Sequence, residues 1–161
     1  MTIPLLAYNP TSRNTRVTAF DVGNEESPKI YDQRNLLQAQ ELDSLIYAAY
    51  RQIFNEQQTI EYHRQRFLES QLRSNQITVR DFIRGQVTAD SFRRWVYDCN
   101  SDYRFVQLCV QRILGRDVYD LAETRAWSIV LATKGLLGFV DSLLDSNEYL
   151  ETFGDDTVPY Q

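Results

Sequence analysis

From Gln40 onward the apolar residues of this chain recur at helical intervals, and no segment alternates apolar and polar residues at the two-residue period of a strand. That pattern constrains the fold more than anything else in the sequence. Leu42, Leu45, Ile46, Ala49, Tyr50 and Ile53 follow i, i+3, i+4, i+7, i+8, i+11, one continuous face of an amphipathic helix. A polar-rich helix is expected over Glu61–Leu72, with a turn at Asn75-Gln76. Thr78 and Asp81 have the spacing of an N-cap and its N3 partner, which opens a short helix over Val79–Arg84 with Gly85 as its stop. Thr88 can cap a helix over Ala89–Asp98, and Ser101 or Asp102 one over Tyr103–Leu114, with Gly115 at the C′ position. A further helix over Leu121–Lys134, with Ala126, Ile129, Val130 and Thr133 on one face, stops at Gly135. Leu136, Phe139, Val140, Leu143 and Leu144 give another stripe, and Ser146 caps a last short helix through Glu148–Phe153. The class is all-α, a bundle of about six to eight short helices over residues 41–161.

Residues 1–40 read differently. Pro4, Pro10 and Pro28 interrupt them, yet Leu5, Leu6, Tyr8, Phe20, Ile30 and Tyr31 are too many large apolar groups for a solvated tail. An extended N-terminal arm that docks, on its own domain or on a partner, is the expectation.

Charge and composition exclude several functions. The net charge of −5 argues against nucleic acid, whose binders carry a basic excess or stripe. Residues 135–161 hold six acids and no base, which predicts a negative patch at that end. Two cysteines make no disulfide framework, the N-terminus lacks the features of a signal peptide, and no run of about 18 apolar residues predicts a transmembrane helix. The only histidine, His63, lies among polar neighbours and is expected to be solvated, with no orienting partner for acid–base work. Zinc would need about four ligands, and the glycines form no phosphate-binding loop. Cys109, among Val106, Val110 and Ile113, is expected to be a buried thiol, and Cys99 a more exposed one that could carry a thioether-linked cofactor. No catalytic group, cofactor or metal site is predicted.

The basic residues are 15 Arg against 2 Lys, accompanied by ten Tyr and two Trp. Arg forks and aromatic rings are enriched at protein interfaces, although composition alone can skew Arg over Lys. Trp127 and Tyr50 are expected in the core, and Arg93-Arg94 ahead of Trp95 reads as an outward patch. Some arginines near Asp81 and Asp117 will form internal salt bridges. The contact candidates are Arg80, Arg84, Arg93, Arg94, Arg104 and Arg116.

Several ordered blocks carry a resemblance: Tyr50-Arg51-Gln52-Ile53-Phe54, Glu69-Ser70-Gln71-Leu72-Arg73 and Ile77-Thr78-Val79-Arg80-Asp81-Phe82-Ile83-Arg84-Gly85. Tyr103-Arg104-Phe105-Val106, Ile113-Leu114-Gly115-Arg116-Asp117, Trp127 to Gly135, and the closing Phe153-Gly154-Asp155-Asp156 and Val158-Pro159-Tyr160-Gln161 continue it. Over roughly Asp43–Gln161 the chain resembles the phycobilisome linker domain. The arm, with Ile3-Pro4-Leu5-Leu6, Tyr8, Pro10, Glu25-Glu26 and Pro28, is similar to the start of a rod–core linker.

The resemblance implies a non-enzymatic scaffold without a bilin of its own. It would sit in the central cavity of a stacked phycocyanin disc, tune energy transfer, and reach the allophycocyanin core through a part beyond Gln161. It would lie at the cytoplasmic face of the thylakoid membrane as a peripheral part of the phycobilisome. Two alternatives remain open at this point: a membrane-anchored linker tying rods to the thylakoid and photosystem I, and a bilin-bearing linker using Cys99. A domain built to be surrounded by partners is also expected to self-associate when isolated.

Overall fold

The structure is a computed structural model, and it describes residues 29–35, 39–55 and 61–160. Among the described residues seven α-helices follow in chain order: α1 (Ala39–Phe54), α2 (Arg66–Arg73), α3 (Val79–Val87), α4 (Asp90–Phe92), α5 (Asp102–Cys109), α6 (Leu121–Leu144) and α7 (Asn147–Thr152). Two of them run on into π-helical turns, α4 into Arg93–Tyr97 and α5 into Val110–Leu114. Among the described residues the only β feature is an isolated bridge between Asp32 and Thr157. The all-α class expected from periodicity is the observed one. Most of the expected arm lies outside the described residues. Its described end pairs with the far end of the chain, Gln33 N–H donating to Asp156 C=O at 2.9 Å and Val158 N–H to Tyr31 C=O at 2.9 Å.

The stripe on α1 buries Leu45, Ile46, Ala49, Tyr50, Ile53 and Phe54. α3 lies at the centre, packed on α1, α2 and α6, while α5 packs along α6. Burial of these faces supplies the main favourable term in folding. Aromatic rings tie the layers together: Phe105 meets Phe139 at 5.8 Å, and Trp127 meets the same Phe139 edge-on at 5.9 Å. Tyr50, Trp127 and Cys109 are all buried, as expected.

The N-caps expected at Thr78, Ser101 and Ser146 are observed, and Asp120 caps α6 in the same way. Each accepts a backbone N–H from three residues on, satisfying a donor that the helix itself cannot. Gly115 is the left-handed stop after the second π turn, at φ 69°. Gly135 divides the long helix α6 with φ 73° and ψ −179°, where the sequence places a stop.

Other boundaries differ, for identifiable reasons. The helix expected over Glu61–Leu72 is a 3-10 turn (Glu61–His63) followed by α2. The break falls where Gln65 N–H donates to the Tyr50 hydroxyl at 2.6 Å instead of to a helical carbonyl. Gly85 does not stop α3, which runs on to Val87. A Cβ there would collide with the Leu68 side chain, so Gly85 serves the close approach of α2 to α3. Thr88 is accordingly the C-cap of α3, its hydroxyl donating to Arg84 C=O at 2.8 Å, and Ala89 precedes α4. Before Gly135 the buried face of α6 is Glu123, Thr124, Trp127, Val130 and Leu131, so of the face expected there only Val130 is buried; after Gly135 the expected stripe holds, with Phe139, Val140, Leu143 and Leu144 buried. The sequence lacks an uninterrupted apolar run, yet the stretch Leu121–Thr152 is long and apolar enough to cross a membrane by length and composition alone. Gly135 breaks it, and one side of it packs in the core.

Candidate partner-binding surface

The arginines divide by depth. Arg116 leaves only 2% of its side chain exposed and holds Glu123 at 2.7 Å and, through Nε, Glu148. Burial opposes its charge, but the hydrogen bonds it donates to Glu148 and Glu123 outweigh it and raise its pKa. Glu123 also accepts the Tyr119 N–H at 2.7 Å, so the trio pins the loop before α6 to α7. The expectation that Arg116 meets a partner is corrected: its fork is spent inside the fold. Arg112 is also interior. Its Nη1 donates to Ile53 C=O at 2.7 Å, and Gln52 Nε2 donates to Arg112 C=O at 2.8 Å. A cation there satisfies an orphan carbonyl at the C-terminus of α1 and suits that end of the helix dipole. Burial pulls the Arg112 pKa down.

Arg80 and Arg84 line up one turn apart on α3 and reach across to the C-terminal segment. Arg84 contacts Asp141 at 2.8 Å, Asp81 at 2.9 Å and Asp145 at 3.6 Å; Arg80 contacts Asp155 at 3.2 Å and Asp145 at 3.6 Å. With Arg116 on Glu148 and Arg34 on Asp156, five of the six acids in residues 135–161 are met by an arginine. The negative patch expected there is therefore largely neutralised from within, by bases distant in sequence.

Arg93, Arg94 and Trp95 occupy the first π turn, Val96 pointing inward beneath them. Arg94 is 2.9 Å from Asp90 and Arg93 is 3.8 Å from Asp98, but both arginines remain mostly exposed, and Trp95 is 57% exposed. Arg104, on the outer side of α5, hydrogen-bonds Gln107 at 3.4 Å. Exposed pairs of this kind hold their side chains weakly, so the groups can change partners at little cost.

His63 is not solvated. It is 4% exposed, stacked on Phe54 at 5.3 Å and met edge-on by Tyr62 at 5.5 Å and Trp95 at 6.2 Å. Burial lowers its pKa. Its polar sequence neighbours concealed this, because the 3-10 turn aims them outward and the imidazole inward. Below Tyr50 lies a second charged trio missed by sequence reasoning. Glu69 accepts from Tyr50 Oη at 3.0 Å and from Arg64 at 2.6 Å, 1% of the residue remaining exposed. Burial alone would raise the Glu69 pKa, but the hydrogen bonds from Arg64 and Tyr50 hold it below the usual carboxylate range. Burial and the neighbouring Glu69 charge raise the Tyr50 pKa.

Two clefts flank the exposed Tyr47, of about 310 Å³ beside the pairing of the two chain ends and about 350 Å³ above Ile46 and Tyr50. Among the described residues no group of three or more His, Cys, Asp or Glu side chains could hold a metal ion. Cys99 is exposed, its thiol 3.1 Å from Arg94 C=O, while Cys109 is buried.

What these features share is a rigid interior of buried ion pairs under an outer layer of loosely paired arginines and aromatic rings. The phycobilisome linker polypeptide family matches residues 37–161, which takes in α1 to α7. This chain belongs to that family. The linker domain is 60% identical over 162 residues to a phycobilisome rod-core linker polypeptide, cpcG, of Galdieria sulphuraria, covering 100% of this chain and 67% of the relative. It is 58% identical over 161 residues to the photosystem I-associated linker protein CpcL of Synechocystis sp., covering 100% of this chain and 65% of that protein. It is 52% identical over 161 residues to the rod-core linker polypeptide CpcG1 of Nostoc sp., of which it covers 58%. The linker domain thus spans about two thirds of the length of the first two of these relatives. Arg116, buried in the Ile113–Asp117 block, gives that block a structural role, since it pins the loop before α6 to α7.

Proposed function

We propose that this linker domain is a non-enzymatic scaffold that seats in the central cavity of a phycocyanin disc, orders the stacking of discs and adjusts the surroundings of nearby bilins. The observation that supports it most is the Arg93–Arg94–Trp95 turn, an exposed ring next to two exposed forks whose internal ion pairs are weak. The inner wall of a disc repeats one subunit surface several times, whereas a single linker is asymmetric. Arginine forks and aromatic rings can satisfy such non-equivalent copies because each offers several geometries. Arg80, Arg84, Arg93, Arg94 and Arg104 are the proposed contacts. Attachment of rods to the allophycocyanin core would fall to sequence beyond Gln161, at the cytoplasmic face of the thylakoid.

The CpcL relative supports a second reading of the same scaffold, in which the domain serves rods tied to the membrane and photosystem I. The two readings share the phycocyanin step and differ only in where the assembled rod is then attached. One experiment tests that shared step: the domain is mixed with purified phycocyanin trimers, and sedimentation and bilin emission are tracked together. Faster discs carrying the domain, with shifted emission, are expected. Unchanged sedimentation would overturn the proposal. Charge reversal at Arg93, Arg94 and Arg104 together is expected to weaken binding, and unchanged binding would remove these residues from the interface.

A further inference from the structure

Among the described residues, the outward side of α6 is where the fold leaves an arginine without a partner. Nine of the described arginines lie within 4.0 Å of a carboxylate. Of the other four, Arg51 lies over the Tyr47 ring, Arg104 bonds Gln107 and Arg112 bonds Ile53 C=O. Arg125 alone has no such partner among the described residues, and it is exposed. It sits four residues after Leu121 and four before Ile129, so all three occupy one helical stripe, which Ala122 and Ala132 flank. Leu121 is 54% exposed and Ile129 45% exposed. The only acid on this half of α6, Glu123, faces the other way and is consumed by Arg116.

We propose that this stripe is a docking surface for a phycobiliprotein subunit, which lays an apolar strip along Leu121, Ile129 and Ala132 and brings one carboxylate to Arg125. The inference rests on the scaffold reading above and adds to it a surface outside the arginine clusters of α3, the π turn and α5. Charge complementarity selects the occupant. The chain carries a net charge of −5, yet this stripe presents a single cation set among apolar groups and no carboxylate, so it repels nothing acidic and lacks only an anion. The same stripe of a second copy would offer the same unpaired cation and place two arginines in opposition. Arginine is among the residue types enriched at interface hot spots.

The test titrates the chain into phycocyanin trimers by sedimentation, comparing the unaltered chain with Ile129→Asn, Arg125→Glu and, as a control on an exposed apolar residue elsewhere, Leu150→Asn. The Ile129 and Arg125 variants are expected to bind roughly tenfold more weakly or worse. The Arg125 deficit should shrink as salt screens the pair, and the Leu150 variant should bind as the unaltered chain does. Full binding by both α6 variants overturns the inference and leaves the scaffold reading in place. No binding by the unaltered chain overturns that reading, and this inference with it. A melting temperature lowered by several degrees in the Ile129 variant would show that the chain itself covers the stripe. Loss of self-association in that variant would show a second copy there. Either result overturns the inference.

Discussion

Single residues hold this fold at points where no general property of the composition could. Arg116 is the clearest. Removing it leaves Glu123 and Glu148 buried without a cation, and breaking a buried pair from one side costs about 3–5 kcal/mol. Arg116→Met is therefore expected to lower stability by that order in urea unfolding, far more than any exposed Arg→Met change such as Arg93→Met. Gly135 makes a different argument. Nothing lies within 4 Å of where its Cβ would be, so space is not the constraint. Its φ of 73° with ψ near 180° is a region that other residues essentially do not enter. Gly135→Ala is expected to cost on the order of 1–3 kcal/mol by backbone strain alone. A melting temperature unchanged by the substitution would show that the two halves of α6 can straighten.

Elements are set by their ends as much as by their faces. α3 begins at Thr78, whose hydroxyl oxygen accepts Asp81 N–H at 3.1 Å, and Thr78→Ala should cost about 1 kcal/mol in the same unfolding assay. The helix then continues through Gly85, against whose bare Cα the Leu68 side chain of α2 packs, a contact that no local propensity expresses. Periodicity located α6 and the buried stripe after Gly135, but before Gly135 it chose the wrong side. Both sides carry apolar residues, and the buried side is the one that includes Thr124 and the ion-paired Glu123. A polar residue on a core face is legible only once its partner, here Arg116, is placed beside it.

The whole molecule responds to pH through groups the fold has desolvated. His63 is held neutral by burial, so the unfolded chain binds a proton more readily than the native one. Where the unfolded state holds more protons, stability rises with pH. Stability is therefore expected to be full above the ordinary histidine range near 6.5 and to fall as the pH drops below it, with a slope that His63→Phe removes. Glu69, whose pKa lies below that of the unfolded chain, adds a second loss at lower pH, as acid neutralises the partner of Arg64. Denaturant midpoints between pH 7 and pH 4 measure both. The thiols report on the same interior. Cys99 should react with a disulfide reagent in the native state, whereas burial shields Cys109 and raises its pKa, so the second thiol should titrate only on unfolding. Both thiols reacting at one native rate would contradict the packing of α5.

The helical class, three N-caps, the stops at Gly115 and Gly135 and the burial of Tyr50 and Cys109 all come from short-range pattern, because spacing and capping are local properties of the chain. The tertiary structure alone decided which charges are used inside. Arg112 and Arg116 look in sequence like Arg93 and Arg94, and six C-terminal acids look like an open negative patch. Pairing between residues as distant as Arg84 and Asp141, or Arg34 and Asp156, neutralises that patch, and it depends on which helices the core brings side by side. The same placement leaves Arg125 outward and without a carboxylate among the described residues, a property that exists only after every other pairing has been made.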